Sequence, residues 1–102
     1  MSDEFREIRE LRDQFIRAVY DLRDPNTGWA MGNAIMARMG LDPENFEDEG
    51  RYADIAQHFD EIGYIRGEAS GYSIVSLSDL GIKYVEVESD LRREEDEEEG
   101  RA

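Results

Sequence analysis

The sequence predicts an α+β domain with three helices, a two-stranded β-hairpin and a C-terminal helix. Up to Ile62 apolar residues mostly recur every three or four positions, which is the period of a helix. From Tyr64 to Leu77 the pattern changes to two short segments typical of strands, and helical spacing returns at Leu80. The length of 102 residues fits one domain.

The first helix is predicted over residues 3–22, where apolar side chains cover one broad arc at about 100° per residue. These side chains are Phe5, Ile8, Leu11, Phe15, Ile16, Ala18, Val19 and Leu22. Ser2 or Asp3 is expected to cap the helix. The sequence Asp-Pro-Asn-Thr-Gly at 24–28 predicts the turn that ends it.

Two further helices are predicted before the strands. The stretch from Trp29 to Met39 is apolar on nearly every side, which indicates a short helix buried on more than one face. Asp42 followed by proline then predicts the start of the next helical segment, which Gly50 is expected to interrupt. The main third helix is predicted to end at Gly63 and to bury four residues spaced three or four apart, namely Tyr52, Ile55, Phe59 and Ile62.

The predicted hairpin pairs residues 64–66 with residues 72–77 across a glycine-containing turn. Ser78 is expected to cap the last helix. The remaining residues, 92–102, are charged apart from a glycine and an alanine, and we expect them to be disordered or a frayed helix end. The predicted organisation is therefore a domain at 1–91 and an acidic tail at 92–102.

The composition excludes several classes of function. The chain has no cysteine, so it has neither disulfides nor a thiolate metal site. No apolar run approaches the roughly 20 residues of a membrane span, and the N-terminus is acidic, so a cytoplasmic protein without membrane contact is expected. The formal charge is −14, and residues 41–63 contribute half of it with eight acids against Arg51. This charge disfavours non-specific binding to nucleic acid.

Two motifs resemble the winged helix-turn-helix family. Phe59-x-x-Ile62-Gly63-Tyr64-Ile65 is similar to the end of its third helix entering the wing. The stretch from Val75 to Ile82, Val-Ser-Leu-Ser-Asp-x-Gly-Ile, is similar to its second wing strand and the start of its last helix. The resemblance covers residues 5–91 and extends to small stand-alone prokaryotic members.

Membership of this family implies a DNA-binding transcription regulator, with the third helix in the major groove and the wing against phosphates. By the same resemblance Arg51, Gln57 and His58 are expected to contact bases, and Arg66 and Lys83 are expected to contact phosphates.

The alternative hypothesis is a protein-interaction module that has kept the winged-helix fold and does not bind DNA. The exposed positions of the predicted third helix carry four acids, namely Asp48, Glu49, Asp54 and Glu61. Each phosphate contact needs a cation, so this surface is expected to repel a duplex and to face a basic protein partner.

The last helix also suggests self-association. Its apolar residues are spaced four, three and four positions apart, as at the interface between two packed helices. They are Leu80, Tyr84, Val87 and Leu91. A homodimer through this helix is therefore a further expectation. Turns and caps account for the serines, and His58 between Asp54 and Glu61 fits an ordinary helix surface. No enzymatic activity, metal or cofactor is expected.

Overall fold

The structure is a computed structural model that describes residues 2–67 and 72–88, with side chains from Glu7 onward. The helices are α1 (Ser2–Leu22), α2 (Gly32–Arg38) and α3 (Phe46–Glu61), and a fourth helix, α4, at 79–88. The strands are β1 (Trp29–Met31), β2 (Ile65–Gly67) and β3 (Ile74–Leu77). This is the mixed α+β architecture that the sequence predicts.

The strands form one antiparallel sheet in the order β1–β3–β2. Val75, at the centre of β3, pairs with Ala30 of β1 and with Gly67 of β2. The two predicted strands are present and adjacent, but the expectation of only two strands was wrong. β1 adds a third strand, which connects the segment before α2 to β3, more than forty residues later in the chain.

The prediction of a helix from Trp29 to Met39 was wrong in its first three residues, which form β1. The turn before them explains the difference. The Asp24 carboxylate accepts hydrogen bonds from the backbone N–H groups of Asn26 (2.7 Å) and Thr27 (3.0 Å). Gly28 then adopts a φ of 78°, and the chain leaves the turn extended. A three-residue apolar segment is compatible with both a buried strand and a helix. Pairing with β3 therefore determines that residues 29–31 are extended.

Helix α3 begins later than predicted and is not interrupted. Its cap is Asn45, whose side chain accepts a hydrogen bond from the N–H of Asp48 at 3.1 Å. Asp42 instead accepts from the N–H of Glu44 in the preceding turn. The helix continues through Gly50, because a helix-interior glycine costs only about 1 kcal/mol and the buried residues that follow offset it.

The core lies between α1, α3 and the sheet. Phe15 of α1 is fully buried and contacts two aromatic rings of α3, Tyr52 at 5.7 Å and Phe59 at 5.4 Å between ring centroids. Ile35, Ile65 and Val75 are also fully buried and come from α2, β2 and β3; Ile16 and Val19 accompany Phe15 from α1. Each side chain of this kind contributes about 1.5–3 kcal/mol by leaving water.

Of the predicted apolar stripe of α4, Tyr84 packs against the core, but Leu80 and Val87 do not. Gly81 and Val85 are buried, whereas Leu80 and Val87 are 53% and 56% exposed. Leu91 and the predicted tail at 92–102 lie outside the described residues. None of the helices in the described part of the chain is both long and apolar enough to cross a membrane.

Candidate functional site

The outer side of α3, opposite the core, carries three carboxylates in line. Glu47, Asp54 and Glu61 are exposed and follow one another at seven-residue intervals. Seven residues make nearly two helical turns, so neighbouring carboxylates lie roughly 10 Å apart on one line. We call these three residues the acidic face. None of them forms an ion pair with a described lysine or arginine.

Only two of the four acids predicted to bind a partner, Asp54 and Glu61, lie on the acidic face. Glu49 is exposed but lines a cavity at the side of α3. Asp48 is half-buried, and its carboxylate accepts a hydrogen bond from the backbone N–H of Asp42 at 2.9 Å. Asp48 therefore stabilises the turn before the helix. Glu47 completes the line but was not among the predicted residues.

The three α3 residues predicted to contact bases are engaged within the molecule. The Arg51 guanidinium lies 3.4 Å from the Glu7 carboxylate, which ties α3 to α1. The Gln57 side-chain amide donates a hydrogen bond of 3.2 Å to the Glu61 carboxylate. His58 is half-buried in edge contact with Phe59, at 5.3 Å between ring centroids.

The two predicted phosphate contacts lie on other elements. Arg66 is exposed on β2, and Lys83 is exposed on α4. Neither forms an ion pair with a described residue. The five predicted DNA-binding residues are thus distributed over three elements, with their free charges outside α3.

His58 faces a groove between α1, α3 and α4, of about 450 Å³, that also contains Ile62, Tyr64 and Tyr84. Of the predicted dimer contacts, Tyr84 lines this groove, with its ring 5.0 Å from that of Tyr64. Burial raises the pKa of the Tyr84 phenol, and the neighbouring Glu88 carboxylate adds to the shift. In the described part of the chain, no three histidine or carboxylate side chains are grouped so as to hold a metal ion.

A second cavity, of about 320 Å³, lies between α2, the first half of α3 and the residues before β3. Its wall includes Phe46, the first residue of α3, whose side chain is 87% exposed. The N–H of Gly32 donates to the carbonyl of Ser73 at 2.7 Å and fixes the start of α2 against the strand. Phe46 is not among the predicted site residues, although an aromatic residue within an acidic segment is a visible signal.

Tyr72 fixes the hairpin to α3. Its φ is 62°, and its ring leaves no room for a side chain at Gly67. Its hydroxyl donates a hydrogen bond of 3.0 Å to the Asp60 carboxylate. Partial burial raises the pKa of this phenol, and the hydrogen bond to Asp60 raises it further.

The arrangement offers a row of carboxylates and an exposed aromatic ring on one helix, positioned by a packed core. Comparisons with models of protein families, with curated proteins and with solved structures find no match for this chain. A row of carboxylates of this kind favours positively charged groups and disfavours anionic ones.

Proposed function

We propose that this protein is an interaction module on a winged helix-turn-helix fold, whose acidic face binds a basic protein partner. The order of the elements supports the fold assignment, because three helices are followed by the β2–β3 pair and by α4. Ser78 supports it too, since its hydroxyl accepts a hydrogen bond from the N–H of Gly81 at 3.1 Å. The resemblance places this serine at the start of the last helix.

The observation that carries the proposal is the pairing of Arg51 with Glu7. Arg51 is the only lysine or arginine in α3, and its guanidinium is directed to the Glu7 carboxylate of α1 at 3.4 Å. The three carboxylates of the acidic face form no ion pair with a described lysine or arginine, although Arg51 lies one turn away on the same helix. A duplex brought against α3 would set phosphates beside three carboxylates and a single arginine, whereas a lysine- or arginine-rich protein surface complements the carboxylates.

The competing function is DNA binding, and one observation favours it. Arg66 and Lys83 are exposed and form no ion pair with a described residue, so both are free to meet phosphates. Phosphate contacts are strongest at low salt, at about 50 mM. We expect no binding of a mixed-sequence duplex under that condition. Micromolar binding that Arg66→Glu abolishes would replace the proposal with the DNA-binding function.

The proposal itself is tested with a lysine- and arginine-rich peptide of about 15 residues, followed by fluorescence anisotropy. Neutralising the acidic face in the triple variant Glu47→Gln, Asp54→Asn, Glu61→Gln is expected to weaken binding about tenfold or more. The matched control neutralises three exposed acids elsewhere, Glu44→Gln, Asp79→Asn and Glu86→Gln. Equal losses in the two triple variants would show only an effect of net charge and would contradict a site on α3.

A further inference from the structure

Phe46 is the most exposed of the large apolar side chains described, at 87%. It occupies the first position of α3, so its backbone is held by the helix and by the Asn45 cap. An isolated exposed apolar residue is ordinary on a protein surface. Phe46 differs from such residues in two ways. It borders a cavity, and the residue one helical turn later has no side chain to cover its ring.

The open flank is due to Gly50, four residues after Phe46 and therefore one turn further along the same side. A Cβ atom placed on Gly50 meets nothing within 4 Å. A side chain there would be free of steric conflict and would favour the helix. The glycine thus keeps a strip of helix surface bare beside Phe46 in the cavity wall.

The cavity wall beside this strip combines apolar and polar residues. Its apolar members include Met36, Phe46, Tyr52 and Ala53, and its other members include Asn33, Glu49 and the residues Tyr72 and Ser73 that precede β3. Met36 and Tyr52 are each only 3% exposed, so the accessible apolar surface comes chiefly from Phe46, whose ring offers flat apolar contact. A volume of about 320 Å³ accommodates one large aliphatic or aromatic side chain.

The charges around the cavity indicate what occupies it. Glu49 lies in the cavity wall, and Glu47 and Asp54 are exposed on the same helix. An apolar side chain flanked by lysine or arginine complements this arrangement. A second copy of the chain, with its own formal charge of −14, would bring like charges together.

We propose that the cavity beside Phe46 receives an apolar side chain of a basic amphipathic segment, while the carboxylates of α3 contact its cationic residues. This assignment deepens the function proposed above and rests on it, because it specifies the partner of the acidic face. Apolar anchors surrounded by polar contacts commonly dominate the affinity of such interfaces.

The test uses two helical peptides of about 15 residues with the same number of lysines and arginines. One carries leucine and phenylalanine at helical spacing on one side, and the other has alanine at those positions. We expect the amphipathic peptide to bind about tenfold more tightly or better, as followed by fluorescence anisotropy. Phe46→Ala should remove that advantage and leave the affinity for the alanine peptide unchanged.

Two further variants separate docking from folding. Gly50→Gln adds a long neutral side chain over the bare strip and favours the helix, so it is expected to weaken binding of the amphipathic peptide without loss of stability. Val87→Ala truncates an exposed apolar residue on α4 and should leave both affinities unchanged. Full affinity of Phe46→Ala and Gly50→Gln for the amphipathic peptide would overturn the assignment.

The remaining outcomes distinguish the two proposals. If both peptides bind equally and the acidic-face triple variant abolishes binding of each, the partner is basic but does not dock beside Phe46. That result overturns the cavity assignment and retains the proposed function. If neither peptide binds, the proposed function fails as well.

Discussion

The phenolic hydroxyl of Tyr52 donates a hydrogen bond of 2.7 Å to the backbone carbonyl of Tyr72. Tyr52 lies on the buried side of α3, and Tyr72 lies two residues before β3, so this bond joins the helix to the segment that enters β3. Tyr72 holds a left-handed backbone conformation that is uncommon for a bulky residue. The hydrogen bond therefore supports a backbone position that local propensity disfavours.

Replacing Tyr52 with phenylalanine is expected to lower the free energy of unfolding by about 1 kcal/mol. The ring still fills the core, but the Tyr72 carbonyl loses its donor from a side chain that is only 3% exposed. Urea denaturation followed by circular dichroism measures the change. The control Tyr72→Phe removes an exposed hydrogen bond to Asp60 and should alter stability by less than about 0.5 kcal/mol. A larger effect of the control would contradict this ranking.

Alkaline pH should destabilise the protein partly through the same hydroxyl. Burial raises the pKa of the Tyr52 phenol well above the usual value of 10.0. The unfolded chain releases this proton above pH 10 while the folded protein retains it, so the stability is fully present below pH 10 and is lost as pH rises towards the folded pKa. Between about pH 10 and 11 the unfolding free energy should fall by about 1 kcal/mol more in the wild type than in Tyr52→Phe.

This comparison isolates one tyrosine, because Tyr72 and Tyr84 also have raised pKa values but are present in both proteins. Urea titrations at about pH 9, 10 and 11 provide the measurement. Parallel pH profiles for the two proteins would show that Tyr52 ionises equally in the folded and unfolded states.

Two helical glycines should respond in opposite directions to alanine. Gly50→Ala adds a Cβ into open space and should raise the unfolding free energy by about 0.5–1 kcal/mol. Gly81→Ala places a Cβ against the Tyr64 backbone carbonyl and close to the Leu77 side chain, so it should be destabilising by about 1–3 kcal/mol. Thermal unfolding of both variants measures these changes in stability. A stabilised Gly81→Ala would show that α4 does not pack closely against the Tyr64 carbonyl.

Ser78 should be sensitive because its hydroxyl serves two partners. It accepts from the N–H of Gly81 and donates to the carbonyl of Gly63 at 2.5 Å, which connects α4 to the end of α3. Ser78→Ala is expected to cost about 1–2 kcal/mol in chemical denaturation. Ser78→Thr keeps the hydroxyl and should recover most of this loss. Equal destabilisation by both substitutions would point to steric effects and away from the hydrogen bonds.

Local patterns predicted much of the fold. The apolar period of α1, the two segments that form β2 and β3, and the capping role of Ser78 each depend on residues near one another in sequence. β1 was not predicted, because Trp29 pairs with Ser76, which lies far along the chain. The start of α3 was misplaced because Asp42 and Asn45 are both good capping residues, and the three-dimensional context selects Asn45.

The site was predictable only in outline. Asp54 and Glu61 were identified as exposed acids because α3 has a clear buried side. The engagement of Arg51 was not visible, since Glu7 lies on another helix. Phe46 was not predicted as a site residue, because its position depends on where α3 begins. The cap at Asn45 makes Phe46 the first residue of the helix and places it beside a cavity.

The central position of β3 determines when the sheet can be assembled during synthesis. β3 is the last of the three strands in the chain, yet it is the only one hydrogen-bonded to both of the others. Neither β1 nor β2 therefore has its strand partner until Leu77 has emerged from the ribosome. The pairing of Trp29 with Ser76 closes a loop of nearly fifty residues, whereas the pairing of β2 with β3 needs only a local hairpin. We therefore expect the β2–β3 pair to form first and β1 to join it afterwards.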